Sequence, residues 1–221
     1  MRNGFFMKML CIYGYGGMGR EIADLAYRLN LWKEHVFIDD NVVSRIVDGL
    51  QVYTFDEIVD KFDKTDLEFI VATGEPSTRQ LLYEKLEQNE LASVKVMDPG
   101  FVLSRFSTVG DGTIIHTGAT ITCNVHIGKG CLINKHAVIG HDVTVGDYSV
   151  ISPNVTIGGN VNIGLGCYIG SGAIIRNGIN IGDNSIIGMG AVVLKDVETN
   201  SVMVGNPARF IRENTDKKVF K

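Results

Sequence analysis

The chain is predicted to fold in two parts, an α/β domain with a small parallel sheet followed by an all-β parallel helix of very short strands. Three observations carry that expectation. An Ile or Val recurs at every sixth residue from Val109 to Val193, a glycine-rich run from Gly14 to Gly19 sits between an apolar segment and an amphipathic one, and Asp98-Pro99-Gly100 breaks the chain between the two patterns. The expected domains are residues 1–98 and 99–221.

Taken in order, Lys8 to Tyr13 reads as a buried strand, Gly14-Tyr15-Gly16-Gly17-Met18-Gly19 as a turn, and Arg20 to about Asn30 as an amphipathic helix. Strand, glycine loop and helix form a phosphate cradle, because glycine permits close backbone approach and a helix N-terminus favours an anion. Val36-Phe37-Ile38 follows as a second strand and ends in Asp39-Asp40, two carboxylates placed to accept from a ribose or a base. The plainer alternative is that the glycines only turn the chain and the aspartates only end a strand. A third strand from Glu68 to Ala72, a helix from about Pro76 to Glu90 and a last strand from Val94 to Met97 complete the domain. This half-Rossmann-like unit suits one nucleotide better than a whole dinucleotide.

The six-residue period of the second part fits neither the 3.6 of a helix nor a two-residue alternation. If roughly one residue in four is Ile, Leu or Val, fifteen consecutive hits arise by chance on the order of one time in a billion. Glycine often follows the apolar residue, and the position four after it is small or β-branched, as at Ala119, Cys131, Ala137 and Ser149. Three such hexads close one triangular coil, and successive coils pair as parallel strands ~4.8 Å apart. Residues eighteen apart therefore stack, so Ile121, Ile139, Ile157 and Ile175 form one inward column. Fifteen hexads make five coils.

At 221 residues, with 45% hydrophobic and 21% charged residues, the composition is that of a soluble globular protein. A net charge of −4 and a pI near 5.7 give no reason to expect nucleic acid or an anionic membrane as partner. Met1 to Met9 is mixed polar and aromatic, and the apolar run after it is too short for a membrane span or a signal peptide, which points to the cytoplasm. Cys11, Cys123, Cys131 and Cys167 show no CxxC spacing, and Cys131 and Cys167, two coils apart, lie beyond disulfide reach and read as core filler.

His141 takes the third position of its hexad, and Gly159 takes the same position one coil above, ~4.8 Å away in the stacking direction. An imidazole beneath a side-chain-free backbone N–H supplies a base and a carbonyl polariser for acyl transfer. The segment Ile139-Gly140-His141-Asp142-Val143-Thr144-Val145-Gly146-Asp147-Tyr148-Ser149 resembles the active-site segment of the hexapeptide-repeat acetyltransferases that modify nucleotide-linked 4-amino-4,6-dideoxy sugars, and of the related sialic acid O-acetyltransferases. The likeness spans nearly the whole chain: glycine-loop domain, acidic pair, uninterrupted hexads and the closing run Val202-Met203-Val204-Gly205-Asn206-Pro207-Ala208-Arg209.

That resemblance implies a left-handed parallel β-helix, acetyl-CoA as co-substrate, no metal, a homotrimer, and a nucleotide-linked amino sugar as acceptor. It implies His141 as general base, Asp142 as the acidic residue that follows the base, and Gly159 as the amide that binds the thioester carbonyl. Asn134 matches a polar substrate position seven residues before the base. The nucleotide falls to Gly14, Gly16, Met18, Asp39 and Asp40, with Met18 standing where some relatives carry His. Lys195, Gly205, Asn206, Pro207, Ala208 and Arg209, together with Gly159, fall to coenzyme A. Val150 stands where one relative has a second His.

Three other readings are weighed. Sialic acid O-acetylation needs the same base and donor. His136 and His141 are five apart, as are two zinc ligands of the γ-class carbonic anhydrases, but a third ligand is required and the position where that class has it is Gly100. A non-catalytic scaffold would have no affinity for coenzyme A, and the glycine-loop domain with the His141/Gly159 stack favours the enzyme.

Overall fold

A computed structural model describes residues 7–220. Residues 1–6, part of the stretch read above for a signal peptide, and Lys221 lie outside the described residues. The described chain divides into two compact units, residues 7–73 with 82–96, and residues 74–81 with 97–220.

In the first unit, β1 (Met9–Tyr13) is buried at all five positions, as a strand covered on both faces must be. α1 (Gly17–Leu29) packs by Gly19, Ile22, Leu25 and Ala26 and ends on Asn30 in the left-handed region at φ 51. β2 (Glu34–Ile38), β3 (Ile46–Val47), β4 (Leu50–Tyr53), α2 (Phe55–Lys61) and β5 (Leu67–Val71) follow, and of α3 (Pro76–Gln88) the residues from Leu82 on belong to this unit and those before it to the second. The sheet order is β3-β4-β2-β1-β5, parallel except for β3 against β4.

The predicted strands and helices are present, with three differences. The helix predicted from Arg20 begins at Gly17, because Gly16 is an extended N-cap and Gly14, at φ 102, already turns the chain. Met18 and Gly19 are therefore helical rather than part of a loop. The β3–β4 hairpin, turned by Asp48-Gly49 at positive φ, and α2, started by a capping box between Thr54 and Glu57, are additions. The strand expected to complete this unit is reduced to a parallel bridge of Ser93 to Phe69 of β5, with Val94 N–H donating to the Phe69 carbonyl at 3.0 Å, and Val96–Met97 is a separate two-residue strand.

The second unit is a left-handed parallel β-helix of two-residue strands in three sheets of six, five and eight strands, the last sheet ending in the longer Ser201–Val204 and, antiparallel to it, Arg209–Glu213. Each sheet stacks every third strand, so partners are eighteen residues apart, as in Thr120↔Val138 and Ile139↔Ile157. The second residue of each strand points inward, and Ile121, Ile139, Ile157 and Ile175 are at most 1% exposed. The small positions, Ala119, Cys131, Ala137, Ser149, Cys167 and Ala173, fill the corners at 0% exposure. Leu103 and Met97 are in phase with the ladder and extend it backwards beyond Val109.

The outward residues give the three faces different characters. The eight-stranded sheet presents Ile114, Leu132, Val150, Tyr168 and Ile186, which are buried or nearly so. Here the buried Arg79, at the start of α3, donates to the carbonyls of Gly130 at 2.7 Å and Cys131 at 3.2 Å, and the Phe220 ring meets Tyr168 edge to face. The five-stranded sheet presents Thr108, His126, Thr144, Asn162 and Asn180, a polar row with bonds along it. The six-stranded sheet presents Val102, Thr120, Val138, Thr156, Ile174 and Val192, a half-apolar row open to solvent. No helix among the described residues is long and apolar enough to cross a membrane.

Candidate active site

His141 and Asp142 lie on the corner between the six-stranded and five-stranded sheets, directly after Val138–Ile139. This corner repeats in four successive coils as Cys123-Asn124, His141-Asp142, Gly159-Asn160 and Asn177-Gly178. Its fourth hexad position is left-handed each time, with φ of 57, 58, 56 and 70° at Asn124, Asp142, Asn160 and Gly178. Asn, Asp and Gly tolerate that region best. The N–H of each turn donates to the coil below, Asp142 to the Cys123 carbonyl at 3.1 Å and Asn160 to that of His141 at 2.9 Å. The corner backbone is thus tied coil to coil.

His141 Nδ1 lies 2.7 Å from Asp142 Oδ2, and Asp142 Oδ1 accepts from Asn124 Nδ2 at 2.6 Å. The bond from Asn124, and then that from His141, holds the Asp142 carboxyl below the usual carboxylate range. A carboxylate only accepts, so Nδ1 carries the proton and Nε2 is left as the basic nitrogen. Nε2 faces Gly159: a Cβ built there would be 2.5 Å from Nε2 and 2.6 Å from Cε1. Only glycine lets the ring lie flat against that backbone. Asn124 escaped the sequence reading, although its spacing of eighteen from Asp142 was the available signal.

The remaining predicted residues distribute as follows. The Asn134 carboxamide accepts from the Lys135 N–H at 2.8 Å, and no contact joins it to His141 among the described residues. Lys195, Pro207, Ala208 and Arg209 line one cavity of about 380 Å³ with Val193 and Met203. Gly205 and Asn206 form the turn beside it, where Gly205 is at φ 95 and its carbonyl accepts from Val192 N–H. His136 turns its ring down against Gly118 while His141 turns up against Gly159, so the two do not converge. Among the described residues no group of three or more His, Cys, Asp or Glu is placed to hold a metal. Cys11, Cys131 and Cys167 are buried and unreactive, with burial raising each thiol to about 12. Cys123 is exposed, because the third hexad position of a corner points outward.

In the first unit, Gly14 approaches the chain closely, with Ala72 O 3.1 Å from a built Cβ, whereas nothing lies within 4 Å of one at Gly16. The α1 N-terminus carries no acidic residue in its first turn and no side-chain cap. Asp39 accepts from the Asn41 N–H at 2.9 Å. Asp40 is fully engaged: Oδ2 accepts from Tyr13 Oη at 2.5 Å and Lys85 Nζ at 2.9 Å, and Oδ1 from Phe55 N–H at 3.2 Å. Burial raises the Asp40 carboxyl, but the bonds from Tyr13, Lys85 and Phe55 outweigh it and the net shift is downward. Burial, then the bond to Asp40, pushes the Tyr13 hydroxyl upward. Lys85 also sits 4.0 Å over the Phe55 ring. Neither Tyr13 nor Lys85 was singled out from the sequence, since neither belongs to a spaced motif.

Comparison with known proteins finds the same two parts. The PglD N-terminal domain family matches residues 9–86, the bacterial transferase hexapeptide family (six repeats) matches 124–159, and the hexapeptide repeat of succinyl-transferase matches 155–195. These matches describe a hexapeptide-repeat β-helix preceded by a PglD-type N-terminal domain. GDP-perosamine N-acetyltransferase from Escherichia coli O157:H7 is 32% identical over 141 residues, 62% of this chain; the chain thus spans 63% of the length of that curated relative. The acetyltransferase domain of PglB from Neisseria gonorrhoeae FA1090, solved in complex with acetyl coenzyme A, has a TM-score of 0.87 at 27% identity, covering 93% of this chain and 100% of that one. PerB from Caulobacter crescentus, solved with CoA and GDP-perosamine, has a TM-score of 0.85 at 26% identity, covering 92% and 97%. The chain is thus similar, over both of its parts, to hexapeptide-repeat sugar acetyltransferases.

Proposed function

We propose that the chain transfers the acetyl group of acetyl-CoA to the 4-amino group of a nucleotide-linked 4-amino-4,6-dideoxy sugar, acting in the cytoplasm as a homotrimer. The observation that carries this is the stack of His141 Nε2 on Gly159, with Asp142 and Asn124 fixing the tautomer. The relatives described with coenzyme A and with GDP-perosamine support the donor and the acceptor class.

In this reading the neutral amine attacks the thioester carbonyl carbon, forming a C–N bond while the carbonyl oxygen gains the charge and meets the Gly159 N–H. The nitrogen's proton passes to His141 Nε2. The tetrahedral intermediate then collapses, the C–S bond breaks, and the leaving thiolate takes the proton back from the imidazolium. No acyl-enzyme is needed, since Cys123, one coil below, has no role in the transfer. Lys195 shares the corner column of His141 three coils on, ~14 Å away, so coenzyme A lies along this edge with its far end at the cavity of Lys195, Pro207, Ala208 and Arg209. Gly14, Gly16, Met18 and Asp39 take the nucleotide at the open α1 N-terminus, with Asp40 bracing them.

The test is thiol release from acetyl-CoA with a panel of amino-sugar nucleotides, GDP-perosamine included, beside free and activated sialic acids. Release with an amino-sugar nucleotide is expected, whereas release with a sialic acid alone would establish O-acetylation instead. His141→Ala should lower kcat by ~10²–10⁴ with both KM values within a few fold, and Cys123→Ala should keep the wild-type rate. Wild-type turnover in the His141 variant would end the base assignment.

A further inference from the structure

The glycine pair Gly158-Gly159 is enclosed along the helix axis. His141 presses on Gly159 from the coil below, and the Asn177 carboxamide oxygen lies over Gly158 from the coil above, so close that a Cβ on Gly158 would collide with it. The neighbouring corner of the triangle has the same arrangement twice, with a carboxylate in place of the amide. Asp147 lies over Gly128 and accepts the Lys129 N–H at 2.9 Å, and Asp183 lies over Gly164 and accepts the Leu165 N–H at 2.9 Å. A carboxylate is therefore this fold's own solution at that place.

The third positions of the His141 corner read Cys123, His141, Gly159, Asn177 and Lys195, without one acid, whereas the neighbouring corner reads Asp111, Lys129, Asp147, Leu165 and Asp183. The backbone N–H that a carboxylate would take at Asn177 is that of Gly159. We propose that Asn177 is a positioning residue for the transfer, a neutral occupant of an aspartate position that keeps a negative charge away from the oxyanion developing beside Gly159. This rests on the reading of Gly159 as the oxyanion donor. The amide oxygen of Asn177 stands where the carboxylate oxygens of Asp147 and Asp183 stand, so the difference is one of charge: a carboxylate there would hold the Gly159 hydrogen more strongly and repel the charge forming on the acetyl oxygen.

Asn177→Asp tests this in the full chain, because Asp147 and Asp183 show that the turn accepts the residue. The melting temperature is expected to stay within a few degrees, kcat to fall about 10- to 100-fold, and both KM values to move less than threefold. Asn177→Ala, without charge, should lose only a few fold, and the reverse exchange at the other corner, Asp183→Asn, should leave kcat unchanged. An Asp variant as fast as an active wild type, one that fails to fold, or an Ala variant as slow as the Asp variant would each overturn the proposal. A wild-type chain releasing no thiol with any acceptor would instead overturn the function on which it rests.

Discussion

Asp142 is adjacent to His141 in sequence, and adjacent residues rarely meet so well. The left-handed turn at Asp142, φ 58, folds its carboxylate back onto Nδ1, while Asn124 fixes the other oxygen. An amide in its place would donate to Nδ1 as readily as accept, so Asp142→Asn should favour the tautomer protonated on Nε2, which is no base. Its kcat/KM is expected to fall on the order of 10², more than for Asn124→Ala, which only loosens the carboxylate; steady-state assays of the two variants decide. Asp40 makes a second prediction, on stability. Its folded pKa is depressed, so its contribution is present above the unfolded value near 4 and is lost as pH falls through the lower folded value. Asp40→Asn should therefore unfold at lower denaturant than wild type at pH 7, with the gap closing towards pH 3. A gap that widened on acidification would contradict the depressed carboxylate. Asp39→Ala should spare stability while raising KM for the sugar nucleotide far more than for acetyl-CoA.

Each strand of the β-helix has two residues, and they divide the work: Thr156 faces solvent and Ile157 is 1% exposed inside. Ile157→Ala leaves a cavity in a column already closed by Ile139 and Ile175 and should cost ~2–5 kcal/mol, read as a shift in the unfolding midpoint, whereas Thr156→Ala should cost little. This same division made the helix legible, because every coil must bury the same position and the demand reappears at each sixth residue. Counting only Ile and Val hid Leu103 and Met97, which continue two of the inward columns, those of Ile121 and Ile115, with other shapes. In the first unit the additional elements also carry local signals, namely Asp48-Gly49 for the hairpin turn and Thr54-x-x-Glu57 for the helix start. Arg79 is a different case. Its partners are the carbonyls of Gly130 and Cys131, more than fifty residues away, and no local pattern records such a pairing. The active corner was half visible for the same reason: His141 and Gly159 follow from the period, but Asn124 and Asn177 matter through what stands one coil away.

At the scale of the molecule, the three faces of the β-helix have different needs. One is buried beneath other parts of the chain, and one is a hydrogen-bonded polar row. The third leaves Val102, Val138 and Ile174 at 59%, 41% and 48% exposure in one straight column, a β-branched stripe of the kind that marks an association surface. His141 follows this face directly, two residues after Ile139, so a second copy seated there would wall the corner proposed for acyl transfer. Light scattering is expected to give three times the 24.2 kDa chain mass. Val138→Lys with Ile174→Lys places two charges on outward positions without touching the inner column, so the double variant should scatter as a single chain and still unfold cooperatively. Its turnover should nevertheless fall well below wild type, although His141, Asp142 and Gly159 are all in place. A monomeric wild type would sink the assembly, and a monomeric double variant with full activity would show that each chain carries a whole site.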